Sequence, residues 1–232
     1  MKNVIVNGLK IYSPENRQEL IKKAMDSKSI LVAINAEKIM HVDEDTLSII
    51  NDNIGYPDGY GAILALKQKG CTNSVKIPGC ELWLDIVKSY SSHKSFYLVG
   101  GTENTIKETV EKLEMEYPSM SIVGSRNGFF NDQSQIDKLI EDIAFRKPDI
   151  VFVAMGSPKQ EQLMKRMQIR HSALYQGLGG SFDVYTGNVN RAPNIFIKLN
   201  LEWLYRLLQE PTRIKRQIYL AKFIYDVGRK KY

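Results

Sequence analysis

Short apolar runs alternate with stretches whose apolar residues recur every three or four positions, and this alternation organises the chain as far as Gly187. "SILVAI" (29–34) predicts a buried strand, and an amphipathic helical stretch follows around 43–53. "KSFYLVGG" (94–101) predicts a strand ending in two glycines. "TENTIKETVEKLEMEY" (102–117) then predicts a helix with Ile106, Val110, Leu113 and Tyr117 on one face. "MSIVGS" (120–125) is the next strand, and a helix around 133–146 leads into the strand "PDIVFVAMG" (148–156). "SPKQEQLMKRMQIR" (157–170) predicts a helix with Pro158 in its first turn, where the missing N–H has no intrahelical partner to lose. "ALYQGLGG" (173–180) is a last strand ending in glycines. Strand–helix–strand order with short Gly-rich joints predicts an α/β fold: a Rossmann-like, mostly parallel sheet with helices on both faces.

Beyond Gly187 the pattern changes. "NIFIKLNLEWLYRLLQ" (194–209) predicts a helix that is apolar on more than one side, and "EPTR" (210–213) breaks it at Pro211. A further helix follows, with Ile214, Ile218, Ala221 and Tyr225 in one apolar stripe, Leu220, Ile224 and Val227 widening it, and Lys215, Lys222 and Asp226 opposite. The expected organisation is therefore a Rossmann-like domain over 1–190 and a helical appendage over 191–232.

Charge sharpens that division. The 232-residue chain carries a net +6, yet residues 191–232 hold ten Lys/Arg against three acids, so residues 1–190 sum to −1. A basic excess confined to one amphipathic segment points to an anionic partner. Arg213, Lys215, Arg216 and Lys222 fit anionic head groups at a membrane surface, with the apolar side in the lipid boundary. The competing arrangement is a helical pair packed on the core. No groove-reading motif accompanies the basic residues, so nucleic acid is not an expected partner. No apolar run reaches the length of a membrane span, and "MKNVIVNGLKIYSPENR" lacks a leader's apolar centre, so a cytoplasmic protein is expected. Cys71 and Cys80 form neither a disulfide framework nor a zinc spacing, and His41, His93 and His171 lie far apart, so no metal is expected.

Ligands of a doubly wound sheet sit beyond the carboxyl ends of its strands. Three joints fall there: "VGGT" with Gly100 and Gly101, "AMGSPKQE" with Gly156, Lys159 and Gln160, and "GLGGSFD" with Gly179 and Gly180. Each lets backbone approach a ligand closely and opens a helix whose free N–H groups suit an anion. Singly each is an ordinary tight turn; three in one chain favour a phosphate-bearing ligand. None is a Walker loop or a G-x-G-x-x-G fingerprint. Asp58 lies in "YPDGYG", which is turn chemistry or a helix N-cap by local grammar alone. Asp43 and Asp45 form an Asp-x-Asp of the kind that holds a metal on a nucleotide diphosphate, but they stand where acids ordinarily open a helix. Ser157 is not in a nucleophile-elbow context.

"LVAINAEKIM", "YPDGYG", "FVAMGSPKQE" and the block from "GLGGSFDVYTGNVNRAP" to "EPTRIKRQ" resemble the WecG/TagA/CpsF glycosyltransferases (glycosyltransferase family 26) over about residues 5–225. The resemblance implies a metal-independent, inverting enzyme on the inner face of the cell membrane. It implies transfer of an N-acetylmannosamine-type sugar from a UDP donor, in β-1,4 linkage, to N-acetylglucosamine on undecaprenyl diphosphate. By the same resemblance Asp58 matches the family's proposed base, and Asn35 and Gln160 match its motif residues. It implies a membrane-engaging appendage and points to self-association as a way of hiding it. No cofactor is implied beyond the UDP-sugar substrate. Where the family pattern reads Arg-Val-x-Gly-x-Asp-Leu this chain has "KIPGCEL", so Lys76 replaces arginine and Glu81 aspartate. Lysine cannot make arginine's bidentate diphosphate contact. "VAINAEKIM", "AMGSPKQE" and "EPTRIKRQ" are nearer the WecG branch, whose donor is UDP-N-acetylmannosaminuronic acid. The alternative is a sugar-nucleotide-binding scaffold of a polysaccharide assembly complex that does not catalyse.

Overall fold

In the computed structural model, residues 1–199, 201–209, 222, 223, 225–227 and 229 are described. An N-terminal hairpin, β1 (Lys2–Val6) and β2 (Leu9–Ser13), precedes α1 (Arg17–Ser27) and β3 (Ile30–Ile34). Then come α2 (Ala36–Met40), α3 (Glu44–Asp52), β4 (Ile54–Pro57), α4 (Tyr60–Gln68) and α5 (Gly79–Tyr90). The second half alternates regularly: β5 (Ser95–Gly100), α6 (Glu103–Glu116), β6 (Ser121–Arg126), α7 (Gln133–Arg146), β7 (Ile150–Ala154), α8 (Lys159–Arg170), β8 (Leu174–Gly177) and α9 (Ser181–Thr186). Two short helices, α10 (Asn194–Lys198) and α11 (Glu202–Gln209), stand where one helix over 194–209 was expected.

The strands form one eight-stranded sheet in the order β1-β2-β4-β3-β8-β7-β5-β6. Every neighbouring pair is parallel except β1 with β2, so the expected mostly parallel sheet is present. The inner strands are short, continuous apolar runs because both faces are covered. Val32, Val99, Val151 and Val153 face a layer built by α2, α3, α4, α7 and α8. Leu31, Phe96, Leu98 and Phe152 face the opposite layer of α1, α5, α6 and α9. Trp83 centres that second layer, meeting Phe152, Phe182 and Tyr185 edge-on at 5.1–5.7 Å between ring centroids.

The helices begin where their sequences provide caps. Asn16, Asp43, Thr102 and Asp132 each accept a backbone N–H three residues on, which satisfies one orphan donor of α1, α3, α6 and α7. In α6, Ile106 and Leu113 are buried as the periodicity predicts, joined by Thr105 and Thr109, while Val110 and Tyr117 pack at the edge of that layer.

Candidate active site

Adjacent strands β5 and β7 send their following helices to opposite faces of the sheet: α6 to the Trp83 layer and α8 to the other. Such a reversal opens a crevice beyond the carboxyl ends of the strands. A cleft of about 740 Å³ occupies that place, and all three Gly-rich joints line it. Gly101 and Thr102 come from β5–α6; Ala154, Met155, Gly156 and Lys159 from β7–α8; Gly179, Gly180 and Asp183 from β8–α9. Gln162 and Arg166 of α8 and Phe129 and Phe130, after β6, complete the wall. Gly100 lies one step behind it, buried against β7. A Cβ there would stand 2.2 Å from the Ala154 carbonyl oxygen, and φ is +132°, so only glycine lets the two strand ends approach.

Gln160 fastens two of these joints. Its side-chain oxygen accepts the N–H of Gly156 at 3.2 Å and of Gly179 at 2.9 Å. Its Nε2 donates to Glu161 Oε1 at 3.3 Å. Glu161 is fully buried, and Lys38 Nζ donates to the same oxygen at 2.8 Å. Lys38 also reaches back to β3, donating from Nζ to the Ala33 carbonyl at 3.1 Å, and its N–H meets Asn35 Oδ1 at 2.9 Å. Asn35 thus caps α2.

Asp58 follows β4 at the same edge of the sheet, though it does not line the cleft. Its N–H donates to the Ile34 carbonyl at 3.0 Å, which anchors the turn beside β3. Its half-buried carboxylate accepts the Gly79 N–H at 2.6 Å through Oδ1. A Cβ on Gly79 would meet the Tyr56 hydroxyl at 2.9 Å, so a side chain there would disturb the approach. Tyr56 is wholly buried. Burial, then the charge of Asp58, pushes its phenol well above the ordinary value despite a hydrogen bond from Gln176, so it stays protonated. Gln176 Nε2 also donates to the Gly79 carbonyl at 3.3 Å, linking β8 to the Asp58 turn.

The loop before α5 runs along the end of β4, with the Ile77 N–H on the Pro57 carbonyl at 2.8 Å. Lys76 of that loop lies 4.0 Å from Glu202 of α11. Glu81 is held by Arg17 and by Arg191, and Arg17 also pairs with Asp85 at 2.8 Å. Burial opposes ionisation of Glu81, but the hydrogen bonds from Arg191 and Arg17 outweigh it and hold the carboxyl below its ordinary range.

Of the residues expected from the sequence, Gly101, Gly156, Lys159, Gly179 and Gly180 meet around the cleft, and Gln160 braces it from beneath. Asn35 connects to that brace through Lys38. Asp58 and Lys76 belong to the neighbouring β4 side. Arg213, Lys215 and Arg216 lie outside the described residues. Lys222 is exposed as expected, but the stripe drawn through this segment needs correction. Tyr225, placed in the apolar stripe, is 61 % exposed; Asp226, placed opposite, is buried with Phe223 and Val227. The reason is the docking surface: Phe223 and Val227 join the core layer that holds α4, and Gln68 donates to the Val227 carbonyl. Asp43 serves as the cap of α3, with its carboxyl held below the ordinary range chiefly by the Thr46 N–H. Among the described residues no group of three or more His, Cys, Asp or Glu could hold a metal, and no helix is long and apolar enough to cross a membrane.

Sequence reasoning missed Thr102, Phe129, Phe130, Gln162, Arg166 and Asp183 of the wall, and Lys38 and Glu161 beneath it. Asp183 and Glu161 stood inside quoted joints, each the last residue of its stretch. Phe129 and Phe130 follow β6, after which no glycine pair flagged a site.

The sequence model of the glycosyl transferase WecG/TagA/CpsF family matches residues 4–232. The chain belongs to that family, and its activity is accordingly glycosyl transfer in cell-surface polysaccharide synthesis.

Proposed function

From that membership we propose that the chain is an inverting transferase. It moves an N-acetylmannosaminuronic acid or N-acetylmannosamine unit from a UDP donor to undecaprenyl-diphosphate-linked N-acetylglucosamine, in β-1,4 linkage. The observation that carries the reading is the convergence of three Gly-rich joints on one cleft where the helices change face, with Lys159 and Arg166 in its wall. Cations beside glycine joints that let backbone approach a ligand closely suit a diphosphate.

Asp58 acts as general base. Its carboxylate takes the proton of the acceptor hydroxyl as that oxygen attacks the anomeric carbon from the face opposite the leaving group. The bond from that carbon to the diphosphate oxygen breaks, and UDP departs with the electron pair. The Gly79 N–H donates to Oδ1 of Asp58 and so fixes the orientation of the carboxylate in its turn. General-base assistance of this type is worth ~10²–10⁴ in rate. Lys159, and Lys76 from the β4 side, meet the charge developing on UDP, so the reaction proceeds without a metal.

The test is UDP release by the full-length protein with chelator present. The lipid-linked acceptor is supplied with UDP-N-acetylmannosaminuronic acid or UDP-N-acetylmannosamine in separate reactions. Acceptor-dependent release with one donor is expected. UDP binding without release under either condition would instead support a non-catalytic scaffold. The basic C-terminal segment, with Arg213, Lys215, Arg216 and Lys222, holds the enzyme at an anionic membrane surface, on the inner face where the acceptor lies. Deleting the chain from Thr212 onward should release it from anionic liposomes in a flotation assay. Undiminished flotation would end the membrane assignment.

A further inference from the structure

The Gln160 carboxamide lies beneath the cleft and faces the N–H groups of both Gly156 and Gly179. Only its oxygen can satisfy two donors, so its NH₂ must point the other way and find an acceptor of its own. That acceptor is Glu161 Oε1. The amide is also wedged against β8: a Cβ at Gly177 would stand 2.4 Å from Gln160 Nε2. Glu161 itself is costly. It is fully buried, its Oε2 has no hydrogen-bond partner among the described residues, and Lys38 pairs with its Oε1 at 2.8 Å. An apolar pair of similar volume would commonly fold as well or better.

We propose that Lys38 and Glu161 are a positioning pair for the cleft. Glu161 sets the orientation of the Gln160 amide, and through it the spacing of the β7–α8 and β8–α9 joints. Lys38 ties that assembly to the β3–α2 joint through the Ala33 carbonyl and Asn35. Neither residue need touch substrate; both act through Gln160. The consequence for catalysis rests on the reading of the cleft as the donor site, whereas the effect on the joints does not.

Two double variants of the full chain separate positioning from mere support of the fold. Lys38→Met/Glu161→Met replaces the pair with apolar side chains and removes the acceptor for Gln160. Lys38→Met/Glu161→Gln also removes the charges but leaves an acceptor oxygen in place. Both should unfold at temperatures close to the wild type. In the first, the amide protons of Gly156 and Gly179 should exchange with solvent about tenfold faster, and the donor KM should rise about tenfold while kcat and the acceptor KM hold. The second should return exchange to the wild-type range and recover most of the donor KM, what remains being the lost Lys38 tie to the β3–α2 joint. Wild-type exchange in the folded double methionine variant would overturn the proposal, as would failure of the glutamine variant to restore it. Fast exchange with an unchanged donor KM would uphold the positioning role and defeat the donor-site reading. If the double methionine variant does not fold, Glu161→Gln alone decides. It keeps the acceptor and should leave exchange unchanged, so a tenfold rise there would overturn the proposal.

Discussion

Along the carboxyl edge of the sheet, the β5–β7–β8 side and the β3–β4 side are assembled in different ways. The first is made of three joints, each a few residues beyond its own strand, closed around a cleft and fastened by Gln160, which accepts an N–H from two of them. The second gathers groups from across the chain. Asp58 is oriented by Gly79, 21 residues on, and Tyr56 is reached by Gln176, 120 residues away. Glu81 takes Arg17 from 64 residues before it and Arg191 from 110 after. Gly61 in α4 leaves room for Phe223: a Cβ there would stand 3.1 Å from the Phe223 ring. Glycine-rich backbone therefore forms a binding surface on one side, braced from beneath by Gln160 and the Lys38–Glu161 pair, while on the other long-range contacts aim a carboxylate. The expectation is that substitutions on the two sides separate binding from turnover.

The largest effect tests the β4 side. Asp58→Asn should keep the Gly79 contact, since an amide oxygen also accepts, but it cannot take a proton. Turnover should fall ~10²–10⁴-fold with UDP affinity within a few-fold of the wild type. The paired measurements are steady-state UDP release and UDP titration by calorimetry. Near-normal turnover would remove Asp58 from the mechanism, and a matching loss of UDP affinity would erase the contrast between the sides.

On the cleft side, Gln160→Ala leaves the N–H groups of Gly156 and Gly179 without their acceptor. Groups stranded in that way cost about 1–3 kcal/mol, which corresponds to roughly tenfold to hundredfold in an affinity that depends on their placement. The donor KM should rise by that factor, with a smaller change in kcat. An equal loss in kcat with an unchanged donor KM would place Gln160 in the chemical step and blur the division.

The same contrast explains what could be read from the chain. The strands and helices of the second half follow from local periodicity, and β5, α6, β6, α7, β7 and α8 lie where the pattern puts them to within a few residues. The glycine joints were legible because positive φ and close strand approach demand glycine itself, as at Gly100. The hairpin β1–β2, the four-residue β4 and helix α5 were not assigned. β4 is the run "IGYP", with Gly55 packed against β2, β3 and α3 and Pro57 at its end, and it carries no pattern of its own. The break between α10 and α11 likewise has no proline or glycine to announce it. The partners of Asp58 and Glu81, and Gly179 as a partner of Gln160, lie beyond any local window, so the residue types could be flagged while their arrangement could not. Tyr225 and Asp226 of the last segment were assigned to the wrong faces for a related reason. Phe223 and Val227 bury against α4, and no period within the segment encodes which face α4 will cover.

The smallest expected effect concerns the clamp by which Arg17 of α1 and Arg191 hold Glu81 of α5. Glu81 is ionised more readily in the folded protein than in the unfolded chain, because Arg191 and Arg17 hydrogen-bond its charged form more strongly than burial disfavours it. A carboxyl whose folded pKa is depressed adds stability that is fully present above its unfolded value, near 4.5, and is lost as pH falls through the folded value. Both arginines stay charged throughout, so the change belongs to Glu81 alone. Thermal unfolding of the wild type and of Glu81→Gln, followed from neutral pH to about pH 3, isolates it from the other carboxylates, which the two proteins share. The wild type should be the more stable protein at neutral pH, and its advantage should shrink below the ordinary glutamate range. A gap that stays constant down to pH 3 would mean that the contribution of Glu81 is packing rather than charge. The β3–β4 side would then owe its geometry at Glu81 to shape, and the electrostatic half of the comparison would fail.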